Sequence, residues 1–259
     1  MNPLALAREF FALPDADKDR VHIRRSLHLR GYSVMKNERD WREQIHFGLE
    51  GSPGASLLER PNLWPGVLGA AWREQTLSFL DEAGRHGQQL LASLGLPVSG
   101  ADEPYLLMKM ICYHPQPEPD RPRPGVAAHC DWSWITLLYE DDTGGLEQQE
   151  ADGTRREVSA PISVTIGELA EIYTGGRLRA TPHGVVNRST TRQRISIPVF
   201  ICPPLDAVMR GTRHCFSEAH GHVHRVRNPA EPYAAVSFGE SEWRRKGLGQ
   251  WCWRSSCLG

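Results

Sequence analysis

His129 and Asp131 stand two positions apart in "AAHCDWSWITLLYE" (127–140), at the entrance to an apolar run. Side chains alternate across a strand, so this spacing sets an imidazole and a carboxylate side by side on one face. Such a pair alone is weak evidence, because His-x-Asp arises often by chance. A third candidate ligand, His183, follows in "RATPHGVVNRSTTRQRISIPVF" (179–200). Two histidines and one carboxylate make the facial triad that leaves half of an octahedral ferrous site open. Those vacancies suit dioxygen activation, with two for a bidentate co-substrate and one for dioxygen. Arg194 and Ser196 come next, on one face of a strand-like run. A planar guanidinium beside a hydroxyl matches a carboxylate in charge and in fork geometry. The plainer reading of Arg194 is a bridge to an acid in the core.

These residues need strands to present them. After residue 100 the chain carries "YLLMKMICY", "WITLLYE", "GLEQQE", "ISVTIG", "HGVVN" and "RISIPVFI", short apolar runs parted by Gly, Pro, Asp and Asn. Repeated short strands without regular intervening helices predict an antiparallel sandwich or barrel, not a parallel α/β sheet. Alternation puts Pro198, Phe200 and Cys202 on the face of Arg194 and Ser196, and Ile111 and Lys109 on the face of Tyr113. "GELAEIYTGG" reads as a short helix, and "FGESEWRRKGLG" (238–249) as a closing one. Residues 1–100 read as mainly helical and packed on this core. "PLALAREFFAL" stops at Pro14, and a long amphipathic helix runs from about Pro65 to Gly95 with Leu77, Leu80, Ala83, Leu90, Leu91 and Leu94 at helical spacing. One domain overall is predicted, with residues 101–259 as its catalytic core.

The composition narrows the class. Hydrophobic residues are 40% and charged residues 24%, ordinary values for a globular protein. Lys and Arg number 30 against 31 Asp and Glu, so the balance points to neither nucleic acid nor an anionic membrane. No apolar stretch approaches the roughly 18 residues of a membrane span. The six cysteines lack CxxC spacing and no leader is evident, which predicts reduced thiols and a cytoplasmic location. A Cys252–Cys257 disulfide is the minor alternative. His220, His222 and His224 in "HGHVHRV" share a strand face and could bind a metal. They lie in a loop-rich stretch, so they read as surface or core histidines.

The HxD…H…RxS pattern resembles the iron(II)/2-oxoglutarate-dependent dioxygenases, in particular the isopenicillin N synthase-like branch. "DDTGGLEQQEADG" is similar to that branch's turn after the first metal strand. "VTIGELAEIYTGGRLRATPHGVVN" resembles the approach to the distal histidine, and "YLLMKMICYHPQP" the strand ending in a tyrosine and a proline turn. The match runs from about residue 101 to 205. It implies a double-stranded β-helix, or jelly roll, with Fe(II) on His129, Asp131 and His183. It also implies that Arg194 and Ser196 receive the distal carboxylate of 2-oxoglutarate, that Tyr113 touches this co-substrate, and that Phe200 contacts the main substrate. Lys109 is a candidate reader of an electronegative substrate group, and Trp132 a candidate pocket wall. Two departures stand out. Ile111 occupies a position where relatives carry asparagine, and a strand-rich amino-terminal segment is not evident, which predicts a more open substrate entrance.

The expected reaction couples oxidative decarboxylation of 2-oxoglutarate by dioxygen, to succinate and carbon dioxide, with oxidation of a C–H bond in a small molecule. Hydroxylation, desaturation and ring closure all fit. Two other readings stay open: an Fe(II) oxidase or cyclase that uses no 2-oxoglutarate, and a non-oxidative metal-binding barrel, including a zinc-dependent lyase or hydrolase.

Overall fold

The architecture is that of a computed structural model, which describes residues 2–207 apart from 27–29, 51–57, 59–60, 98–103, 117, 119, 121, 151 and 206. The expected closing helix at 238–249, the histidines at 220, 222 and 224 and the tail cysteines lie outside the described residues.

Helices α1 (Pro3–Phe11) and α2 (Asp15–Asp19) precede a hairpin of β1 (Gly31–Lys36) and β2 (Trp41–Gly48). The long helix α3 (Gly69–Ser93) leads into β3 (Tyr105–Tyr113). Seven more strands follow: β4 (Val126–His129), β5 (Ile135–Glu140), β6 (Leu146–Gln149), β7 (Arg155–Val158), β8 (Ile162–Ile166), β9 (His183–Val185) and β10 (Arg194–Cys202). Helix α4 (Glu168–Tyr173) separates β8 from β9. A six-stranded sheet has the order β1-β2-β3-β10-β5-β8, and a four-stranded sheet the order β4-β9-β6-β7. Every strand pair in both sheets is antiparallel. This is the expected jelly roll.

The mainly helical amino-terminal region also carries two strands not expected from the sequence, β1 and β2, which extend the larger sheet through β3. Along β2, Ile45 and Phe47 are buried in the core while Gln44 and His46 alternate with them. The polar partners in that alternation mask the apolar signal a strand normally gives.

The larger sheet is two-faced. Its outer face carries Met108, Met110, Ile195, Ile197, Val199 and Ile201, all essentially fully buried against α1 and α3. Helix α3 lies close because it offers glycines where it meets the sheet. A Cβ on Gly84 would stand 2.4 Å from Leu106 Cδ1, and one on Gly87 2.6 Å from Ile201 Cδ1. The helix ends as the sequence predicts, with Gly95 at φ +67° and the Leu96 amide donating to the Leu91 carbonyl over 2.9 Å. The Trp72 indole N–H donates to the Leu6 carbonyl and ties α3 to α1. The inner face looks toward the smaller sheet, where Ile111, Tyr113, Leu138, Leu146 and Val185 form a second apolar cluster.

Candidate active site

His129 ends β4 and His183 opens β9, and the two are Cα partners in the smaller sheet. Asp131 sits in the turn after β4. The start of α4 pins that turn, with the Glu168 amide donating to the Asp131 carbonyl (2.8 Å) and the Leu169 amide to the Ser133 carbonyl (3.2 Å). Gly167 lets the helix approach this near, since a Cβ there would fall 2.1 Å from the Ser133 oxygen.

The three side chains converge. His129 Nε2 is 3.4 Å from Asp131 Oδ1, and His183 Nε2 is 3.7 Å from Asp131 Oδ2. Each Nδ1 faces a backbone carbonyl, Ala127 at 3.0 Å for His129 and Thr181 at 2.9 Å for His183. A carbonyl only accepts, so each Nδ1 carries the hydrogen and each Nε2 keeps its lone pair for the shared space. Burial lowers the pKa of His183 against the pull of Asp131, which favours the neutral, ligating imidazole. Burial alone would raise Asp131, but His183, His129 and hydrogen bonds hold its carboxyl below the usual range. The set fits one divalent ion.

Thr165, on β8, donates its hydroxyl to Asp131 Oδ2 over 3.2 Å. Nothing in the motif reading singled it out, although its inward position in "ISVTIG" follows from alternation. Thr165→Val is expected to weaken ferrous binding about 10-fold or more, in line with the loss of other supports behind metal ligands. A competition titration against a chelator checks this, and unchanged affinity would contradict it.

Arg194 and Ser196 lie on the inner face of β10, opposite Tyr113 and Ile111 of β3. The Arg194 guanidinium carbon stands 5.0 Å from the Tyr113 ring centroid. The plainer reading of Arg194 is realised in the structure. It does bridge a core acid, for Nη2 meets Glu140 Oε2 at 2.6 Å, and Nε donates to the Gly144 carbonyl at 2.6 Å. Yet Nη1 and the neighbouring Ser196 hydroxyl are buried with no hydrogen-bond partner. Two orphaned donors on one strand face fit an incoming carboxylate. The Gly144 carbonyl is aimed by a double-glycine turn: Gly144 and Gly145 have φ +78° and +87°, and a Cβ on Gly145 would meet the Val186 oxygen at 2.1 Å. Asn187, almost wholly buried, donates through Nδ2 to the carbonyls of Tyr113, His114 and Arg192, locking the β9–β10 connection to the end of β3.

The candidate substrate residues are placed less uniformly. Lys109 Nζ lies 5.0 Å from the Phe200 ring centroid on the inner face, so these two meet. Trp132 is nearly buried within the main core cluster. The β1–β2 turn is hydrogen-bonded to β4, with the Ala127 amide donating to the Arg39 carbonyl over 3.0 Å, and an open cleft of about 570 Å³ is lined by residues 37–40 and 126–129.

A second cluster, Glu43, Cys112 and His114, lies on the outer face of the larger sheet. Glu43 is already met by Lys18 Nζ at 3.0 Å and the Tyr32 hydroxyl at 2.6 Å. Burial pushes the Cys112 thiol up to about 12, and Glu43 adds to the shift. This is a satisfied ion-pair network with a protonated thiol beside it.

Comparison with known proteins agrees with this geometry. Residues 104–203 match the model of the 2OG-Fe(II) oxygenase superfamily, and residues 2–66 that of the non-haem dioxygenase in morphine synthesis N-terminal region. The second match spans the β1–β2 hairpin, so the amino-terminal segment thought absent is represented. A Dictyostelium discoideum protein named as a probable iron/ascorbate oxidoreductase is 26% identical over 246 residues, covering 76% of this chain and 66% of its own. Kihadalactone A synthase of Citrus sinensis is 28% identical over 243 residues, covering 82% of this chain and 71% of its own. The chain thus spans about two thirds of the length of these relatives. A full-length Neurospora crassa protein, solved in complex with alpha-KG, superposes with a TM-score of 0.71 at 20% identity, covering 94% of this chain and 80% of that one. With the His-Asp-His cluster, the inner-face arginine and two family models together, the chain belongs to the 2OG-Fe(II) oxygenase superfamily, whose enzymes use Fe(II), 2-oxoglutarate and dioxygen.

Proposed function

We propose that the chain oxidises an unactivated C–H bond of a small molecule, with Fe(II) on His129, Asp131 and His183 and with 2-oxoglutarate gripped at its distal end by Arg194 and Ser196. The observation that carries this reading is the pair of buried, unsatisfied donors, Arg194 Nη1 and Ser196 Oγ, on the inner face of the same jelly roll. When bound, iron would activate dioxygen, the oxidant, which takes two electrons from 2-oxoglutarate as it decarboxylates to succinate and two from the substrate C–H bond. The chain's own residues do the positioning. Nδ1 hydrogen bonds fix both imidazoles, Thr165 steadies Asp131, and the Tyr113 ring supports the guanidinium face. The inner cluster of Ile111, Leu138 and Val185 keeps the pocket floor dry. A cytoplasmic location belongs to the same proposal, and Cys112, Cys130 and Cys202 are free thiols.

Succinate release tests this. A panel of small molecules is incubated with Fe(II) and 2-oxoglutarate, and products are read by mass for the gain of one oxygen or the loss of two hydrogens. The proposal requires substrate-stimulated succinate that vanishes without iron or 2-oxoglutarate. Substrate oxidation that proceeds without 2-oxoglutarate would indicate an oxidase or cyclase instead, and iron-independent turnover with zinc would indicate a non-oxidative metal enzyme.

Lys109 gives a sharper expectation for the substrate. Its ammonium group sits over Phe200 on the inner face, where it would meet an electronegative substrate group. Lys109→Met is expected to raise the substrate KM about 10-fold or more, the scale of one charge-assisted hydrogen bond, while leaving uncoupled 2-oxoglutarate turnover intact. An unchanged KM would contradict it.

A further inference from the structure

Glu140 carries a charge into the pocket that the motif reading leaves out. Its side chain is 2% exposed, and it is the Cα partner of Ser196 across the β5–β10 ladder. It therefore shares the inner face with Arg194, whose own side chain is fully buried. Its carboxylate holds Arg194 Nη2 at 2.6 Å and also accepts from the Ala160 backbone N–H. The remaining groups near the cradle are accounted for. Asp141 turns outward to the Ile195 amide and Arg8, and Glu157 caps the Gly145 amide.

The consequence is electrostatic. A guanidinium is always cationic, and a lone one would offer its whole charge and its full fork to a carboxylate. Here one arm of the fork is already taken by an anion. What remains for a ligand is Nη1 and the Ser196 hydroxyl, at the end of an ion pair whose net charge is zero.

We propose that Glu140 is a specificity-determining residue of the co-substrate pocket. By neutralising Arg194 and occupying Nη2, it leaves a distal subsite that recognises hydrogen-bond acceptors with little preference for negative charge. The pocket accordingly discriminates weakly between 2-oxoglutarate and a 2-oxo acid whose far end is an uncharged acceptor. This rests on the reading above, in which Arg194 and Ser196 receive the co-substrate.

The test is calorimetry on the full chain, loaded anaerobically with Fe(II), using 2-oxoglutarate and its 5-methyl ester. The ester keeps the chelating end and a distal carbonyl but lacks the second charge. Wild type is expected to prefer the acid by less than about 10-fold. Glu140→Gln keeps an acceptor for Nη2 and removes the anion. It is expected to widen that preference by about 10-fold or more, through tighter acid binding with the ester unchanged, as expected for removing a like charge several ångströms away in a buried site. A merely structural Glu140 would shift both ligands together, so an unchanged ratio overturns the proposal. Should the glutamine variant not fold, the wild-type ratio decides alone, and a preference above about 100-fold overturns it. If wild type binds Fe(II) but neither 2-oxo acid, the co-substrate reading itself falls and takes this inference with it.

Discussion

Asp131→Ala is expected to abolish ferrous binding at stoichiometric concentrations and to reduce 2-oxoglutarate turnover by more than about 100-fold, beyond the loss usual for residues that only support a metal ligand. The reason lies in the geometry. Asp131 stands between the two imidazoles, with one oxygen toward each Nε2, and it supplies the only negative charge in the ligand set. Without it, two imidazoles face a divalent cation with no counter-charge in the ligand set. Electron paramagnetic resonance with Mn(II), which takes the same hard ligands, checks binding without relying on activity. Retention of one tightly bound ion per chain in Asp131→Ala would contradict the ligand assignment. His183→Ala is expected to behave alike, since His183 is deeply buried and has its Nδ1 fixed on Thr181.

The second large effect is on stability. Arg194→Leu is expected to destabilise the protein by about 3–5 kcal/mol, because it strands the Glu140 carboxylate in the interior. The double variant Arg194→Leu/Glu140→Leu is expected to recover most of that loss, since two apolar side chains of similar bulk remove the charge and its desolvation cost together. Burial already pushes the Glu140 carboxyl upward against the pull of Arg194, so the pair is held together at a cost. Urea denaturation of the wild type, the two single variants and the double variant closes the cycle. If the double variant is no more stable than Arg194→Leu, the ion pair is not what holds Arg194 in place. Neither variant that lacks Arg194 is expected to bind 2-oxoglutarate well, so function and stability separate cleanly in the double variant.

The candidate metal site was legible in its residue types, a close His-x-Asp joined by a distant histidine. The strand alternation behind that reading holds for His129, which ends β4, whereas Asp131 stands beyond the strand in a turn held by the start of α4. Alternation likewise placed Arg194, Ser196, Tyr113 and Lys109 on inner faces, in agreement with the register and with the Lys109–Phe200 contact. The partners of these residues were not legible, and for one reason. Glu140 meets Arg194 through the β5–β10 register, and Thr165 meets Asp131 through the packing of β8 beneath the β4 turn. Such relations depend on how strands are ordered and offset, which no single run of residues encodes. The β1–β2 hairpin escaped for a different reason. Strand β1 turns exposed positions outward along half its length, and β2 buries polar residues, Glu43, Gln44 and His46, beside Ile45 and Phe47, so neither run shows a plain apolar strand pattern. Strands β4 and β7, four residues each, are too short to show a period.

The most direct measurement of the central claim is anaerobic visible absorption during addition of Fe(II) and then 2-oxoglutarate to the apoprotein. Chelation of a ferrous ion by a 2-oxo acid produces a charge-transfer band that free iron, free co-substrate and protein alone do not show. The account requires that band to appear at one iron and one 2-oxoglutarate per chain in the wild type, and to be absent in His183→Ala. A wild type that takes up iron and 2-oxoglutarate without the band, or a His183→Ala variant that retains it, would contradict the assignment of His129, Asp131 and His183 as the iron site.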